Sequence, residues 1–393
     1  MHRVLLVSHR YVAADNRGKA RALAARGLEV TVAVPQRWRE PVLGRIVETS
    51  WERQVGVEVF PVQTSAPGDV ARYRFAGRVL GSLLRDKRPE LIQIEEELGT
   101  EVTRQVLKAA AKARIPAFVG VADNVPGNRT GDRGLFAGFR RRRLLRDVRG
   151  VVAASGSAAS LVRGDRPPVH VTVIPHLGVK APTHPEHQDH EGLALGFVGR
   201  LVHRKGLDTL LEALTRHREL TWTLTVVGDG PAREELEALA SARRLAARIR
   251  WVGAVSPADV AKTWPLLDVM IQPSRMSEEW SEPTGHTLAE AMANEVAVIG
   301  TASGATAEVI GDAGLVVPPD DPDALAKAIG GMADPETRWS YAEAARARAI
   351  SRFSDDAVAE ASVHFWREIL GEGSGVRDQG SGKAPDLYHR SDP

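Results

Sequence analysis

Short, continuous apolar runs alternate with amphipathic stretches along almost the whole chain. Arg3–Val7, Glu29–Val34, Val57–Val62, Leu91–Ile94, Ala117–Val121, Gly150–Ala154 and Val171–Ile174 read as strands. Between them the pattern predicts helices over about Asp15–Arg26, Tyr73–Arg85, Leu98–Ala113 and Leu135–Asp147, and a short one after Ser155. A strand that is apolar throughout, rather than at every second position, is buried on both faces. Such strands alternating with helices are the sign of a parallel sheet covered on both sides.

The alternation breaks once. His184–Glu191 (HPEHQDHE) is polar, lacks a period and follows Pro182, so it reads as a linker. The pattern then restarts with strands at Leu195–Gly199, Thr223–Val227, Arg250–Val252, Val269–Gln272, Val296–Ile299 and Leu315–Val317. Leu207, Leu210, Leu211 and Leu214 form a helical stripe. Gly228-Asp-Gly-Pro231 reads as a turn into a helix with proline at its first position. A last helix is expected after Phe353, running to about Leu370. The expected architecture is α/β: two Rossmann-like, doubly wound parallel-sheet domains facing a central cleft at the carboxyl ends of their strands. The first domain would cover 1–178, the linker 179–192 and the second domain 193–353. The helix 354–370 would pack back on the first domain. The tail 371–393, rich in Gly, Ser and Asp, is expected to be disordered.

Composition narrows the class without naming it. At 393 residues the chain is too long for one ordinary core. With 43% apolar and 26% charged residues it reads as soluble and globular. Cysteine is absent, which removes disulfides, thiolate nucleophiles and cysteine metal sites. A net charge of +2, and basic residues not interleaved with aromatics, argue against a nucleic-acid partner. The first ten residues, MHRVLLVSHR, lack the length and cleavage site of a signal peptide, and no run has the eighteen or so apolar residues of a membrane span. A cytoplasmic protein is expected, at most peripheral at the inner membrane face. Arg140–Arg143, Arg146 and Arg149 either meet an anionic membrane or lipid phosphate, or form a solvated face. His184, His187 and His190 have loose metal-like spacing but lie in the linker, so no metal site is expected. His9, His176 and His286 are candidate cleft residues with structural roles as the alternative.

The richest stretch is Ser281–Glu295, SEPTGHTLAEAMANE. Glu282 and Glu290 flank a helix start with Thr284 or Gly285 as N-cap. Open N–H groups at Gly285, His286 and Thr287 favour an anion, while carboxylates accept hydrogen bonds from hydroxyls. A strand ending in Gly199-Arg200, with Lys205 just ahead of the next helix, adds two cations at the carboxyl edge of the same sheet. A cation about 4 Å from a phosphate oxygen contributes on the order of 4 kcal/mol at an effective dielectric near 20. That scale suits a departing diphosphate.

GRLVHRKG, VVGDGP, WVGAVS and PSR…SEPTGHTLAEAMANEVAVIGTASGATAEVIGDAGLVVPPDDPDALAKAI together resemble the retaining family-4 glycosyltransferases of the GT-B fold. The resemblance covers the whole second domain in order. The first half is more loosely similar, through NRGKARALAARGLEVTVAVP, and Ile92–Glu97 (IQIEEE) is similar to a bacterial subgroup. The resemblance implies sugar transfer from a nucleotide-sugar donor, a UDP- or GDP-sugar, with retention and no required cofactor. The acceptor would be a glycan, a lipid-linked intermediate or a small molecule, made for the cell envelope or an exopolysaccharide. It implies that Arg200 and Lys205 bind the diphosphate, with Gly199 beside them, and that Glu282 contacts the donor sugar. Glu290 would contact the ribose or hold the site, and Gly285, His286 and Thr287 would offer backbone N–H groups. Nucleobase contacts would come from Gly253–Val255 and Gln272–Ser274.

The sequence departs from that family pattern in three places. Pro283-Thr284 stands where Gly-Phe is usual. The loop Ser8–Gly18 has one glycine instead of a pair, which shifts phosphate contact to Asn16, Arg17 or Lys19. Asp123-Asn124 stands where many members carry a histidine, and Asp123 either serves the acceptor hydroxyl or caps a loop. Glu95–Glu97 either face the acceptor or the Arg cluster, or begin a helix. A nicotinamide dehydrogenase is disfavoured, since Gly228-Asp-Gly230 lacks the third glycine of the fingerprint. A non-catalytic nucleotide-sugar binder and a nucleotide-sugar epimerase remain as alternatives.

Overall fold

The computed structural model describes residues 1–39, 44–126, 130, 137–165 and 169–371. The expected start of the Leu135–Asp147 helix and the tail beyond residue 371 lie outside the described residues. The strands in chain order are β1 (Arg3–Val7), β2 (Glu29–Pro35), β3 (Arg37–Arg39), β4 (Ile46–Glu48), β5 (Glu52–Gln54), β6 (Val57–Val62), β7 (Thr64–Ser65), β8 (Arg74–Phe75) and β9 (Leu91–Ile94). Then follow β10 (Ala117–Val121), β11 (Gly150–Ala153), β12 (His170–Val173), β13 (Leu193–Val198), β14 (Trp222–Val227), β15 (Ile249–Gly253), β16 (Val269–Gln272), β17 (Ala297–Thr301) and β18 (Leu315–Val317).

They build two sheets. The first has the order β12-β11-β10-β9-β1-β2-β6-β5, parallel except for the edge pair β5–β6, and the second has the order β15-β14-β13-β16-β17-β18, parallel throughout. The apolar runs that read as strands are strands because both faces are covered: β1, β9, β10, β16 and β17 are buried at nearly every position. Each sheet winds outward in both directions from its first strand. The order therefore reverses between β1 and β9 in one domain and between β13 and β16 in the other. The crevices that take ligands in doubly wound sheets open at the carboxyl ends of such strand pairs. Here those ends carry Ser8–Arg10 with Glu95–Glu97, and Gly199–Arg200 with Pro273–Ser274.

The last helix, Asp355–Leu370, belongs to the first core. Val358, Ala359, Phe365 and Trp366 are buried there, Phe365 meets Phe118 edge-on at 5.8 Å between ring centroids, and Trp366 Nε1 donates to Gln93 Oε1 at 3.1 Å. The chain crosses between domains twice at one place, where Val179 pairs with Phe353 and Asp355 through backbone hydrogen bonds.

Several boundaries move for local reasons. The helix expected from Tyr73 begins at Gly77, because Tyr73 is buried under Trp38 and β8 pairs with β7. The helix expected from Leu98 begins at Glu101, where the Thr100 side chain caps the Thr103 N–H. Residues 14–17 make a tight turn before the helix Gly18–Ala25. Pro231 lies in the turn and the helix starts at Arg233. Among the described residues no helix is long and apolar enough to cross a membrane.

Trp366→Ala should lower the unfolding free energy by about 3–5 kcal/mol, the usual cost of deleting a buried indole. Urea denaturation checks this. A loss below about 1 kcal/mol would show that the last helix does not hold the first core.

Candidate active site

The glutamate pair is built from the second domain outward. Gly285 caps the helix His286–Ala293 in the left-handed region at φ 60°, and a Cβ there would come within 2.9 Å of Val309. With no side-chain cap, the N–H groups of His286 and Thr287 face outward at the helix start. Glu282 lies in the loop before it and is 5% exposed. Its Oε2 accepts from Lys205 Nζ at 2.6 Å and from Ser274 Oγ at 3.1 Å. Its N–H donates to Ser303 Oγ, and its carbonyl accepts from the Ala305 N–H and from Asn124 Nδ2 of the first domain, both at 2.9 Å.

Lys205 arrives through a tight turn after β13. Gly206 follows at φ 68°, where a Cβ would stand 1.9 Å from the Pro273 carbonyl oxygen, so only glycine lets this turn lie against the end of β16. The Trp280 ring lies 5.4 Å from Lys205 Nζ and 5.1 Å from the Arg204 guanidinium. Arg200 is exposed at the end of β13, beside Gly199, whose N–H extends the pairing to Val227. Gly253 ends β15 at φ 87° and accepts from Gly228 N–H at 2.8 Å. Glu290 lies one turn along from His286, 3.6 Å from its Nε2. Burial would lower the His286 pKa, but Glu290 raises it above the ordinary value.

The two domains enclose a cavity of about 380 Å³. Arg10, Glu96, Glu97 and Asp123 line it from the first domain, Pro283, Thr284 and His286 from the second. Of the expected donor-side residues His286 is on its wall, while Gly199, Arg200, Lys205, Gly253, Glu282, Gly285, Thr287 and Glu290 are not. Glu95–Glu97 do not begin a helix. Glu95 is turned inward, bonded to Lys19 Nζ and Tyr11 Oη at 2.6 Å each. Glu96 accepts from Tyr73 Oη at 2.8 Å and meets His9 Nδ1 at 2.6 Å; burial would raise its pKa, but His9 and Arg10 hold it below the usual carboxylate range. Glu97 accepts from the N–H groups of Ala122 and Asp123, and burial with the Asp123 charge pushes its pKa up to about 8.

Of the expected acceptor-side residues, Asp123 reaches the cavity, where it also accepts from Thr130. Asn124 instead spends its amide on the Glu282 carbonyl. Asn16 and Arg17 do not line the cavity. Asn16 donates to the Arg10 carbonyl, while Arg17 is buried against the carbonyls of Tyr11 and Val12 and against Glu52. Lys19 is buried on Glu95. The cation that this loop does bring to the cleft is Arg10, which sequence reasoning passed over. Its position just past the end of β1, at the winding switch, was the available signal.

Residues 12–176 match the family model described as a glycosyl transferase 4-like domain, and residues 192–334 match the model of glycosyl transferases group 1. Over 250 residues the chain is 31% identical to the lipopolysaccharide core biosynthesis mannosyltransferase LpcC of Rhizobium leguminosarum bv. viciae, covering 58% of this chain and 67% of that protein. The chain belongs to the group 1 glycosyltransferases. The match to a phosphatidyl-myo-inositol mannosyltransferase of Mycolicibacterium smegmatis is 33% over 200 residues and spans about half of each protein, 49% and 49%. Among solved structures, this glycosyltransferase superposes on sucrose-phosphate synthase of Thermosynechococcus elongatus with a TM-score of 0.71 at 20% identity, covering 95% of this chain and 100% of that one. Anabaena HepE in complex with UDP gives 0.67 at 17% identity, with 94% and 100% covered. The fold is GT-B.

The Glu97 carboxyl has a pH signature. Its folded-state pKa of about 8 exceeds the ordinary 4.5, so the folded protein holds a proton that the unfolded chain releases between those values. Stability from this group is full below about pH 4.5 and declines as pH rises toward 8. Glu97→Gln should flatten that decline in melting temperature measured from pH 5 to 8. An unchanged slope would place the Glu97 pKa near its ordinary value.

Proposed function

We propose that this group 1 glycosyltransferase moves a sugar from a UDP- or GDP-sugar to a hydroxyl of a glycan or lipid-linked acceptor, with retention at the anomeric carbon and without a cofactor. The observation that carries the reading is the Lys205–Glu282 contact at 2.6 Å beside the exposed Arg200. A cation and a carboxylate held together by buried neighbours are suited to a ligand that carries both phosphate and hydroxyls. On donor binding, Lys205 and Arg200 turn to the diphosphate, joined by the outward N–H groups at His286 and Thr287. Glu282 then accepts from the sugar hydroxyls, and Glu290 supports the ribose end. The anomeric carbon–phosphate oxygen bond breaks, and the acceptor oxygen bonds to that carbon from the same face. The acceptor's hydroxyl proton passes to the departing phosphate oxygen.

The known complex of HepE with UDP favours a uridine donor. The similarity to LpcC and to a phosphatidyl-myo-inositol mannosyltransferase favours an acceptor for a cell-envelope glycan or glycolipid. Peripheral contact with an anionic membrane fits the helix Ala137–Leu145, whose basic run follows Phe139, 68% exposed.

Thermal shift with UDP, GDP, ADP and their sugars tests the reading. A ligand at about a hundred times its dissociation constant adds roughly 2.7 kcal/mol. One nucleotide family should raise the melting temperature, and Lys205→Ala should abolish the rise. No rise with any of them would overturn the donor site. Glu282→Gln should leave nucleoside diphosphate binding within a few-fold while lowering turnover roughly 100-fold. Retention is read from the first anomer that NMR detects when water serves as acceptor.

A further inference from the structure

Arg10 stands in the cleft in an unusual state for a partly buried arginine. Its Nη1 lies 2.8 Å from His176 Nδ1, and among the described residues no carboxylate lies within ion-pair distance of it. Its neighbours in the same loop are neutralised at home, Arg17 by Glu52 and Lys19 by Glu95. The Arg10 carbonyl is tied down by Asn16 Nδ2 at 2.8 Å, which fixes the backbone from which the side chain departs.

The histidine beneath it is arranged to receive a cation. An arginine can only donate, so His176 Nδ1 must present its lone pair. The other nitrogen, Nε2, is 3.2 Å from the Val152 carbonyl and carries the hydrogen. His176 is 4% exposed, and burial, helped by Arg10 and Lys19, drives its pKa well below the ordinary value, which keeps the ring in this neutral form. The ring fits here because Gly120 has no side chain: a Cβ there would stand 2.9 Å from its Nε2. One face of the guanidinium is therefore oriented by a neutral group, and its charge is left for something in the cavity. The acidic groups nearby do not cancel it by contact: Glu96 is engaged by His9 and Tyr73, and Glu97 by the backbone N–H groups of Ala122 and Asp123. A planar fork of donors on the wall of a cleft matches a phosphate far better than a hydroxyl.

We propose that Arg10, oriented by His176, is a phosphate-binding residue that the first domain contributes across the cleft. The phosphate comes either from the donor diphosphate, shared with Lys205 and Arg200, or from a phosphate on the acceptor. The choice of source rests on the sugar-transfer reading; the binding role does not.

Calorimetric titration of wild type, Arg10→Ala, Arg10→Lys and His176→Phe decides it. The probes are UDP, UMP and GDP, and then glycerol 1-phosphate against glycerol, each with and without saturating nucleoside diphosphate. If the source is the donor, Arg10→Ala weakens UDP or GDP at least tenfold and UMP much less. Arg10→Lys restores little, because an ammonium lacks the fork, and His176→Phe falls between. If the source is the acceptor, nucleotide affinity is unchanged, while glycerol 1-phosphate binding, absent for glycerol, is lost in Arg10→Ala. Equal affinity of wild type and Arg10→Ala for every probe overturns the proposal. So does a loss in Arg10→Ala for glycerol as large as for glycerol 1-phosphate. A wild type that binds no nucleoside diphosphate would sink the donor reading instead, and the glycerol 1-phosphate arm on nucleotide-free protein would still judge Arg10. Unchanged far-ultraviolet circular dichroism in each variant excludes misfolding as the cause.

Discussion

The Glu282 residue is where the molecule's constraints meet. Its carboxylate holds Lys205 and Ser274, its N–H is held by Ser303, and its carbonyl is shared by the Ala305 N–H and, from the other domain, Asn124. A carboxylate this deeply buried would be costly without a cation and further donors. The cation in turn depends on backbone geometry remote from charge. Lys205 reaches Glu282 because Gly206 lets its turn press against Pro273, and Gly228, at φ 135°, lets the next strand end lie against Gly199. The glycines are there for close approach, and the charge pair is what that approach makes possible.

The two domains solve the same geometric problem with opposite chemistry. Both wind outward from a first strand, so both place loops at a switch point, yet the loops carry different groups. The second domain offers exposed cations and open N–H groups, which suit a leaving group that gains negative charge. The first offers the carboxyl groups of Glu96, Glu97 and Asp123, which suit hydroxyls that must be oriented, and Arg10, which suits a phosphate. In the proposed reaction, the second domain would hold the diphosphate and the first the nucleophile, with Arg10 adding a phosphate contact from the first domain.

Much of this was legible in the chain itself, and the limits have physical causes. Strands such as β1, β9 and β17 could be read because burial on both faces leaves no polar position to confuse the period. The edge elements β3, β4, β5, β7 and β8 were not, since two or three residues carry no period and β4 and β5 are largely exposed. Gly285 as the cap of its helix was legible because a helix start follows from residues a few positions away. Arg17 and Arg10 were not, because what separates them lies far off in sequence. Glu52 neutralises one at a separation of 35 residues, and His176 presents the other at 166. Residue type alone ranks these two arginines equally; the partner's position decides which one is spent.

Single hydrogen bonds cross the cleft between the two domains. Besides Asn124 on the Glu282 carbonyl, the Gly156 N–H at the start of a first-domain helix donates to Glu308 Oε2 of the second domain at 2.6 Å. A hydrogen bond contributes only about 0.5–1.5 kcal/mol net, so contacts of this kind align the two domains without locking them. Burial raises the Glu308 pKa, while the Gly156 N–H and Arg348 work against that rise. The Asn124 contact works differently. It ends on the backbone of the residue that binds Lys205, so opening the cleft removes a restraint from the loop that positions the carboxylate. If the donor binds as proposed, on the second domain alone it would meet a less ordered Glu282 than when enclosed between both. In the proposed reaction, coupling the order of that loop to closure would keep the donor from water until an acceptor is in place.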